Sequence, residues 1–280
     1  MTGFHVELAG VTARHPAASP ASPPALDQFS LVVRPGEQVA VIGPSGAGKT
    51  TLLQVMAAAL KPSDGSLILD QERVWALGTR RIQKLRGQLF YAPQTPPLPP
   101  RQRVVTALLA ARLPQQSFLQ SLATLVYPSS AQDAQDALKE FDLAEKLWDR
   151  VDRLSGGERQ RVGLARALLA PARMWLIDEP LSALDPKRSQ QAIDTLVRHA
   201  QARQVTLIAT LHQVDVATTK FARVIGLRDG RLMFDLPGPE VTKARLAELY
   251  AQHEHELAQT AAAVLDTPAQ PEPPKIIHCR

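Results

Sequence analysis

Cysteine is almost absent from this 280-residue chain, and the one that occurs, Cys279, lies next to the last residue. A single cysteine excludes an internal disulfide and a metal site built from several thiolates. Apolar runs long enough to cross a bilayer are also missing, and the first residues, MTGFHVELAG, lack the basic and apolar regions of a secretory leader. We therefore expect a reducing, cytoplasmic location.

Long runs of like charge are missing as well. The 32 Lys and Arg residues outnumber the 27 Asp and Glu residues only modestly, and they are spread along the chain. This distribution does not indicate nucleic-acid binding, although a basic patch that faces a membrane or a permease remains compatible with it. A hydrophobic share of 45% over this length predicts one globular α/β domain with a subdomain.

What the sequence does contain is a glycine-rich octet, GPSGAGKT, between the strand-like segment Gln38–Ile42 and the helix-like residues 51–60. Glycines let successive backbone N–H groups converge on phosphate oxygens, and the helix N-terminus adds partial positive charge. The octet therefore predicts nucleoside triphosphate binding, with Lys49 at the β- and γ-phosphates and the Thr50 hydroxyl on Mg²⁺. A fortuitous glycine-rich turn is the alternative. The predicted nucleotide contacts are Gly43, Pro44, Ser45, Gly46, Ala47, Gly48, Lys49, Thr50 and Thr51.

Two adjacent carboxylates, Asp178 and Glu179, follow the apolar segment Met174–Ile177. Because side chains alternate along a strand, the two carboxylates are expected to project in different directions. Asp178 would then hold Mg²⁺, and Glu179 would polarise an attacking water. A pair of solvated charges at a strand end is the alternative interpretation.

The heptapeptide LSGGERQ, Leu154–Gln160, predicts a second helix start that is suited to an anion. Ser155 and Glu158 have the spacing of a capping box, and Gly156 and Gly157 permit close backbone approach at the positive end of the helix. A well-capped helix without a ligand is the alternative.

The rest of the chain divides into regions by its periodicity. Residues 4–11 and 29–33 alternate as strands, and the prolines of residues 95–100, TPPLPP, predict an extended crossover. Beyond it we predict a mainly helical subdomain over residues 95–153, with helices at 104–113, 118–125 and 131–147. Strand and helix alternation then resumes, which predicts a parallel sheet that ends in a hairpin through Asp229 and Gly230.

Together, GPSGAGKT, LSGGERQ, LIDEP and the lone His212 after an apolar strand resemble the nucleotide-binding subunit of ATP-binding cassette (ABC) transporters. The resemblance covers residues 43 to about 234 and implies an α/β fold of the P-loop NTPase (ABC ATPase) type. That fold has a mainly parallel sheet, an N-terminal antiparallel β-subdomain and a helical subdomain. The ABC ATPase domain would span residues 1–250, and residues 251–280, which include the run HEHE, are interpreted as a mobile tail without a metal site.

The resemblance also implies a head-to-tail homodimer that sandwiches two ATP molecules. Each ATP would lie between the phosphate loop of one chain and the LSGGERQ segment of the other. Gln94 matches a glutamine that approaches Mg²⁺ and water, and His212 matches a histidine that contacts the γ-phosphate and supports Glu179. Asp185, in SALD, matches a loop that crosses the dimer interface, although with Pro186 it also fits an N-cap.

The site residues implied in this way fall into three groups. The catalytic residues are Lys49, Gln94, Glu179 and His212; the Mg²⁺ ligands are Thr50, Gln94 and Asp178; the further nucleotide contacts are Ser155, Gly156, Gly157 and Asp185. Where many members of the family carry an aromatic residue against adenine, this chain has His15, which stacks less extensively than Tyr.

Two stretches, TLHQVDVA from Thr210 and ARVIGLRDGRLMFD from Ala222, resemble the ATPase subunits of phosphonate importers. The implied partners are permease membrane subunits and, through them, an external solute-binding protein, with this chain peripheral on the cytoplasmic face of the membrane. The helical subdomain matches that group less well. The alternatives are the ATPase of another importer, for example of amino acids, a soluble ABC ATPase without a permease, and a P-loop kinase, which would not require Ser155 or His212.

Overall fold

Two β-sheets organise the chain in the computed structural model, which describes residues 2–15, 18–19, 22–116 and 130–251. The strands are β1 (Val6–Ala13), β2 (Leu26–Val33), β3 (Gln38–Ile42), β4 (Asp64–Leu69), β5 (Glu72–Arg73), β6 (Leu89–Ala92), β7 (Met174–Asp178), β8 (Thr206–Thr210), β9 (Arg223–Arg228) and β10 (Arg231–Pro237). The helices are α1 (Lys49–Met56), α2 (Thr79–Arg86), α3 (Val104–Leu109), α4 (Ala131–Lys139), α5 (Gly156–Leu169), α6 (Pro186–Arg203), α7 (Val214–Lys220) and α8 (Lys243–Leu249).

The first sheet is antiparallel and has the strand order β2-β1-β4-β5. Val6 of β1 is paired with Val33 of β2 on one side and with Leu69 of β4 on the other. All three residues are buried, as expected where one face of an antiparallel sheet packs on a core. The predicted N-terminal antiparallel β-subdomain is therefore confirmed.

The second sheet has the order β10-β9-β3-β8-β7-β6, and only the β9–β10 pair is antiparallel. Every residue of β3, β7 and β8 is buried, because helices or the first sheet cover both faces. The carboxyl ends of these parallel strands open onto one edge, where ligands bind in open α/β sheets. The predicted mainly parallel sheet and closing hairpin are confirmed.

Strand β7 shows how the two faces are filled. Trp175 and Ile177 point into the core beneath α3, α4, α5 and α6, whereas Met174 and Leu176 point into the core shared with α1 and the first sheet. Helix α5 packs against β6 of this sheet, and within the helical part Nη1 of Arg161 in α5 donates to the carbonyl oxygen of Phe141, just after α4, at 2.6 Å. Among the described residues, no helix combines the length and apolar content needed to cross a bilayer.

Several predicted helix bounds differ from the structure. The helix predicted over residues 51–60 is α1, Lys49–Met56, and it ends earlier because Ala58 adopts φ 52°. The helix predicted over 131–147 is α4, Ala131–Lys139, followed by a 3₁₀ turn, Ala144–Lys146, because Asp142 adopts φ 53°.

The helix predicted over residues 104–113 is divided into α3 and a 3₁₀ helix, Ala110–Gln115. The helix predicted over 118–125 lies outside the described residues, and so does the tail predicted over 251–280 apart from Ala251. Helix α2 was not predicted, because only two of its eight residues, Ile82 and Leu85, are apolar and only Leu85 is buried.

Candidate functional site

The glycine-rich octet forms the turn from β3 into α1, at the carboxyl edge of the parallel sheet. A Cβ atom at Gly43 would lie 2.0 Å from the carbonyl oxygen of Leu227, so only glycine permits this backbone approach. Gly48 adopts φ 103° as it leads into Lys49, a conformation that side chains other than hydrogen rarely allow. The octet is therefore built as a compact loop at the N-terminus of a helix.

Lys49 is 5% exposed, and its ammonium group turns back over the loop. Nζ donates to the carbonyl oxygens of Gly43 at 2.8 Å and Pro44 at 3.1 Å. A cavity of about 500 Å³ lies above the loop and is lined by His15, Ala25, residues 45–51, Gln94 and Glu179. Backbone N–H groups, the positive end of α1 and a lysine thus surround one cavity, which suits a polyphosphate.

Asp178 is the last residue of β7, and its carboxylate is buried. Oγ1 of Thr210 donates to Oδ1 of Asp178 at 2.6 Å, and the side chain of Thr50 also hydrogen-bonds to this carboxylate. Burial raises the pKa of Asp178, while these hydroxyls and the charge of Lys49 oppose the increase. A carboxylate and a hydroxyl oxygen therefore meet beside the phosphate loop.

Glu179 lies just beyond β7 and adopts φ 46°. Oε2 of Glu179 accepts from Nε2 of Gln94 at 2.6 Å, and Oε1 lies 2.5 Å from Nε2 of His212. The hydrogen bond with His212 is the main cause that lowers the pKa of Glu179, so the carboxyl is ionised at neutral pH. The two carboxylates do project differently, but the reason is this backbone turn after Asp178, not the strand alternation that we expected.

The predicted capping box at the start of α5 is present. Ser155 N–H donates to Oε2 of Glu158 at 2.8 Å, and Glu158 N–H donates to Oγ of Ser155 at 3.2 Å. Gly156 lines a second cavity, of about 660 Å³, and neither it nor Ser155 or Gly157 lines the cavity above the phosphate loop. The structure of one chain therefore does not bring the LSGGERQ segment to the phosphate loop.

Asp185 caps α6, since its Oδ1 accepts from the N–H of Arg188 at 3.0 Å, and Pro186 occupies the first turn. The N-cap interpretation is confirmed, whereas the dimer contact of Asp185 stays a prediction. His15 lies in the wall of the phosphate-loop cavity, as an adenine contact requires. Thr210 was missed by the sequence reasoning, although a threonine at the end of an apolar strand, two residues before His212, was a usable signal.

Comparisons with known proteins agree with this geometry. The family model described as ABC transporter matches residues 26–182. The chain is 58% identical to a phosphonates import ATP-binding protein of Albidiferax ferrireducens over 98% of this chain and 99% of that protein. It is also 58% identical to the corresponding protein of a Polaromonas species, over 99% and 100% of the two chains.

Solved structures show the same fold. A dimeric ATP-binding cassette in a post-hydrolysis state, bound to ADP and Pi, is 26% identical with a TM-score of 0.71, covering 83% of this chain and 98% of that chain. A nucleotide-free cassette from an ABC transporter, at 21% identity and a TM-score of 0.67, covers 91% and 97% and supports the fold alone. This chain therefore belongs to the ABC transporter family, as an ABC ATPase that groups with the phosphonates import ATP-binding proteins.

Proposed function

We propose that this chain is the ATP-hydrolysing subunit of an importer for phosphonate or a related phosphorus oxyanion. The observation that carries the ATPase chemistry is the ionised carboxylate of Glu179, held between Gln94 and His212 at the wall of the phosphate-loop cavity. The names of the relatives, which share 58% of their residues with this chain over almost its whole length, support the phosphonate assignment.

The residues around the cavity fit ATP and Mg²⁺. Lys49 and the backbone N–H groups of residues 45–51 would hold the phosphates, and the cation of Lys49 would stabilise charge that develops during transfer. Thr50, Asp178 and the amide oxygen of Gln94 are oxygen donors of the kind that Mg²⁺ prefers, and the first two already contact each other. When bound, Mg²⁺ would neutralise charge on the β- and γ-phosphates.

Glu179 is suited to accept the proton of an attacking water. Its carboxylate is charged at neutral pH, as proton acceptance requires, and contacts on both oxygens fix its direction. His212 orients Glu179, and because its side chain is 43% exposed at the edge of the site, we propose that it also contacts the γ-phosphate of bound ATP. Gln94 stands at the start of the proline segment 95–100, and its movement would connect the site to the helical subdomain.

A homodimer would complete the nucleotide site. Ser155, Gly156 and Gly157 do not line the phosphate-loop cavity of their own chain, and we propose that they contact ATP bound by the partner subunit. The N-terminus of α5 offers backbone N–H groups and partial positive charge to that nucleotide. Asp185 would lie at the same interface.

The domain assignment that accompanies this function is an ATPase domain over residues 1–250 with a helical subdomain at 95–153. The subdomain would dock on the permease membrane subunits, and the permease would receive solute from an external binding protein. The chain would thus be peripheral, on the cytoplasmic face of the membrane. Residues 251–280 are assigned no role.

The direct test is to reconstitute the chain with the permease and binding protein encoded beside it and to measure ATP hydrolysis. The binding protein is supplied loaded in turn with phosphonate, phosphite, phosphate or an amino acid. We expect the phosphonate-loaded or phosphite-loaded protein to stimulate hydrolysis. A matched control carries Ser155→Ala in this chain, which should abolish the stimulation.

Stimulation by an amino acid alone would replace the phosphonate assignment with another importer. If no ligand stimulates, while the isolated chain hydrolyses ATP in a manner that depends on Glu179 and Ser155, the ABC ATPase chemistry holds and the phosphonate assignment fails. If no permease binds at all, a soluble ABC ATPase is the better description.

A further inference from the structure

Thr210 is fully buried at the end of β8 and touches both adjacent carboxylate residues of the site. It is the register partner of Asp178 across the parallel β7–β8 pair. Its Oγ1 donates to Oδ1 of Asp178 at 2.6 Å and accepts from the backbone N–H of Glu179 at 2.9 Å. One hydroxyl therefore connects the carboxylate of one residue to the backbone of the next.

The hydrogen bond from the Glu179 N–H to Thr210 involves a residue with a strained backbone. Glu179 adopts φ 46°, in the left-handed region that a long side chain occupies only when its surroundings impose it. A hydrogen bond from the Glu179 N–H to a buried hydroxyl on the neighbouring strand is such a restraint. The restraint is stiff, because a β-branched side chain in a strand has few χ1 rotamers.

The two bonds of Thr210 also depend on each other. The hydroxyl can offer a lone pair to the Glu179 N–H in a fixed direction because its proton is committed to Asp178. The result is a chain from backbone N–H through hydroxyl to carboxylate, in which each bond polarises the next. The backbone of Glu179, from which its side chain projects, is thereby fixed relative to the carboxylate of Asp178.

We propose that Thr210 is a positioning residue that holds the left-handed backbone of Glu179 and so keeps its carboxylate between Gln94 and His212. The inference rests on the proposed role of Glu179 in activating water. Thr210 does not line the phosphate-loop cavity, so it acts through Glu179 and does not contact the nucleotide.

Another threonine of the same strand provides a matched control. Thr206 begins β8 and is fully buried, and its hydroxyl also makes two hydrogen bonds. Oγ1 of Thr206 donates to the carbonyl oxygen of Phe4 at 2.9 Å and accepts from the N–H of Gly36 at 3.1 Å. Thr206→Val and Thr210→Val thus remove equivalent groups from the two ends of one strand.

The experiment compares Thr210→Val, Thr210→Ser and Thr206→Val in the full chain by kcat, KM, ATP affinity and thermal unfolding. For Thr210→Val we expect kcat to fall about 10- to 100-fold, since a misplacement near 1 Å can cost that much, while ATP affinity changes less than about threefold. Thr210→Ser should keep kcat within about threefold of the original. Thr206→Val should lower stability as much as Thr210→Val without that loss of kcat.

A double variant separates this inference from the proposed function. If Thr210 acts through Glu179, then Thr210→Val should cause no further fall in kcat when Glu179→Gln is already present. If Glu179→Gln alone keeps its turnover, the assigned base is wrong. If Glu179→Gln is inactive but Thr210→Val is fully active, the proposed role of Thr210 is wrong and the proposed function of Glu179 stands. If a raised Mg²⁺ concentration restores the kcat of Thr210→Val, the inference is also overturned, because Thr210 would then act through Asp178.

Discussion

Nε2 of His212 lies 2.5 Å from Oε1 of Glu179, although 33 positions separate the two residues in sequence. The contact exists because β7 and β8 are parallel neighbours whose carboxyl ends meet at one edge of the sheet. It is also the main cause that lowers the pKa of the Glu179 carboxyl. Sheet topology thus gives the site an ionised, oriented carboxylate.

The first prediction concerns that carboxylate. Glu179→Gln keeps the size and shape of the side chain, but its amide cannot accept a proton at neutral pH. We expect ATP binding to be retained, hydrolysis to fall at least about 100-fold, and an ATP-bound dimer to accumulate. Equilibrium binding and size-exclusion chromatography with ATP measure these effects. Glu240→Gln, at an exposed position, serves as the control. Turnover near the original value in Glu179→Gln would show that Glu179 is not the base.

The parts of the site that the sequence predicts well are those in which neighbouring residues make the structure. The phosphate loop depends on glycines within one octet, and the capping box joins Ser155 to Glu158 within one helical turn. Their geometry is therefore encoded locally. The pairing of His212 with Glu179 is different, because no periodicity reveals strand order, and only the resemblance to a family suggested it.

Thr210 escaped prediction for a related reason. Its role depends on the register of β7 against β8 and on the positive φ of Glu179, and neither is visible in the sequence. The extent of the helix predicted over 131–147 was wrong because its apolar spacing continues past the break at Asp142. Phe141 and Leu147 are both buried there, although α4 has already ended.

The second prediction uses the two glycines at the start of α5. A Cβ at Gly157 would lie 2.9 Å from the carbonyl oxygen of Ala183, whereas a Cβ at Gly156 would meet no atom within 4 Å. Gly157→Ala should therefore lower stability, by about 1–2 kcal/mol. Gly156→Ala should leave stability unchanged or raise it, by up to about 1 kcal/mol, because alanine favours helix.

The rate of ATP hydrolysis shows whether Gly156 contacts a nucleotide in the dimer or is only part of a well-capped helix. If Gly156 faces nucleotide bound by the partner subunit, Gly156→Ala should reduce ATPase activity about tenfold or more without loss of stability or of ATP affinity. Urea unfolding and steady-state hydrolysis of the two variants provide the measurements. Full ATPase activity in Gly156→Ala would show that Gly156 does not contact the nucleotide.

The third prediction is a pH dependence of stability. The hydrogen bond from the Ser155 N–H, with a smaller effect of Lys146, lowers the pKa of Glu158 below its ordinary value of 4.5. A lowered folded pKa means that the carboxylate stabilises the fold above 4.5 and that this contribution is lost as pH falls through the folded value. Glu158→Ala should cost about 0.5–1 kcal/mol at pH near 7.

The difference in the free energy of unfolding between Glu158→Ala and the original chain should become smaller as the pH falls from about 5 to 3, because the carboxylate of Glu158 becomes neutral. Urea unfolding at several pH values measures it. Glu145→Ala, which removes an exposed carboxylate from the 3₁₀ turn Ala144–Lys146, is the control and should change the free energy of unfolding little at any pH. A cost that stays constant with pH would mean that packing, not charge, carries the effect.

The fourth prediction concerns the base of the nucleotide. His15 lies in the wall of the phosphate-loop cavity, where it can stack on adenine with less area than a phenol ring. His15→Tyr should tighten ATP binding about two- to tenfold, and His15→Ala should weaken it by a similar factor. Tripolyphosphate, which has phosphates but no base, should bind all three proteins equally. Equal changes for both ligands would show that His15 acts on the loop itself, since a contact with adenine cannot alter the affinity for a ligand that has none.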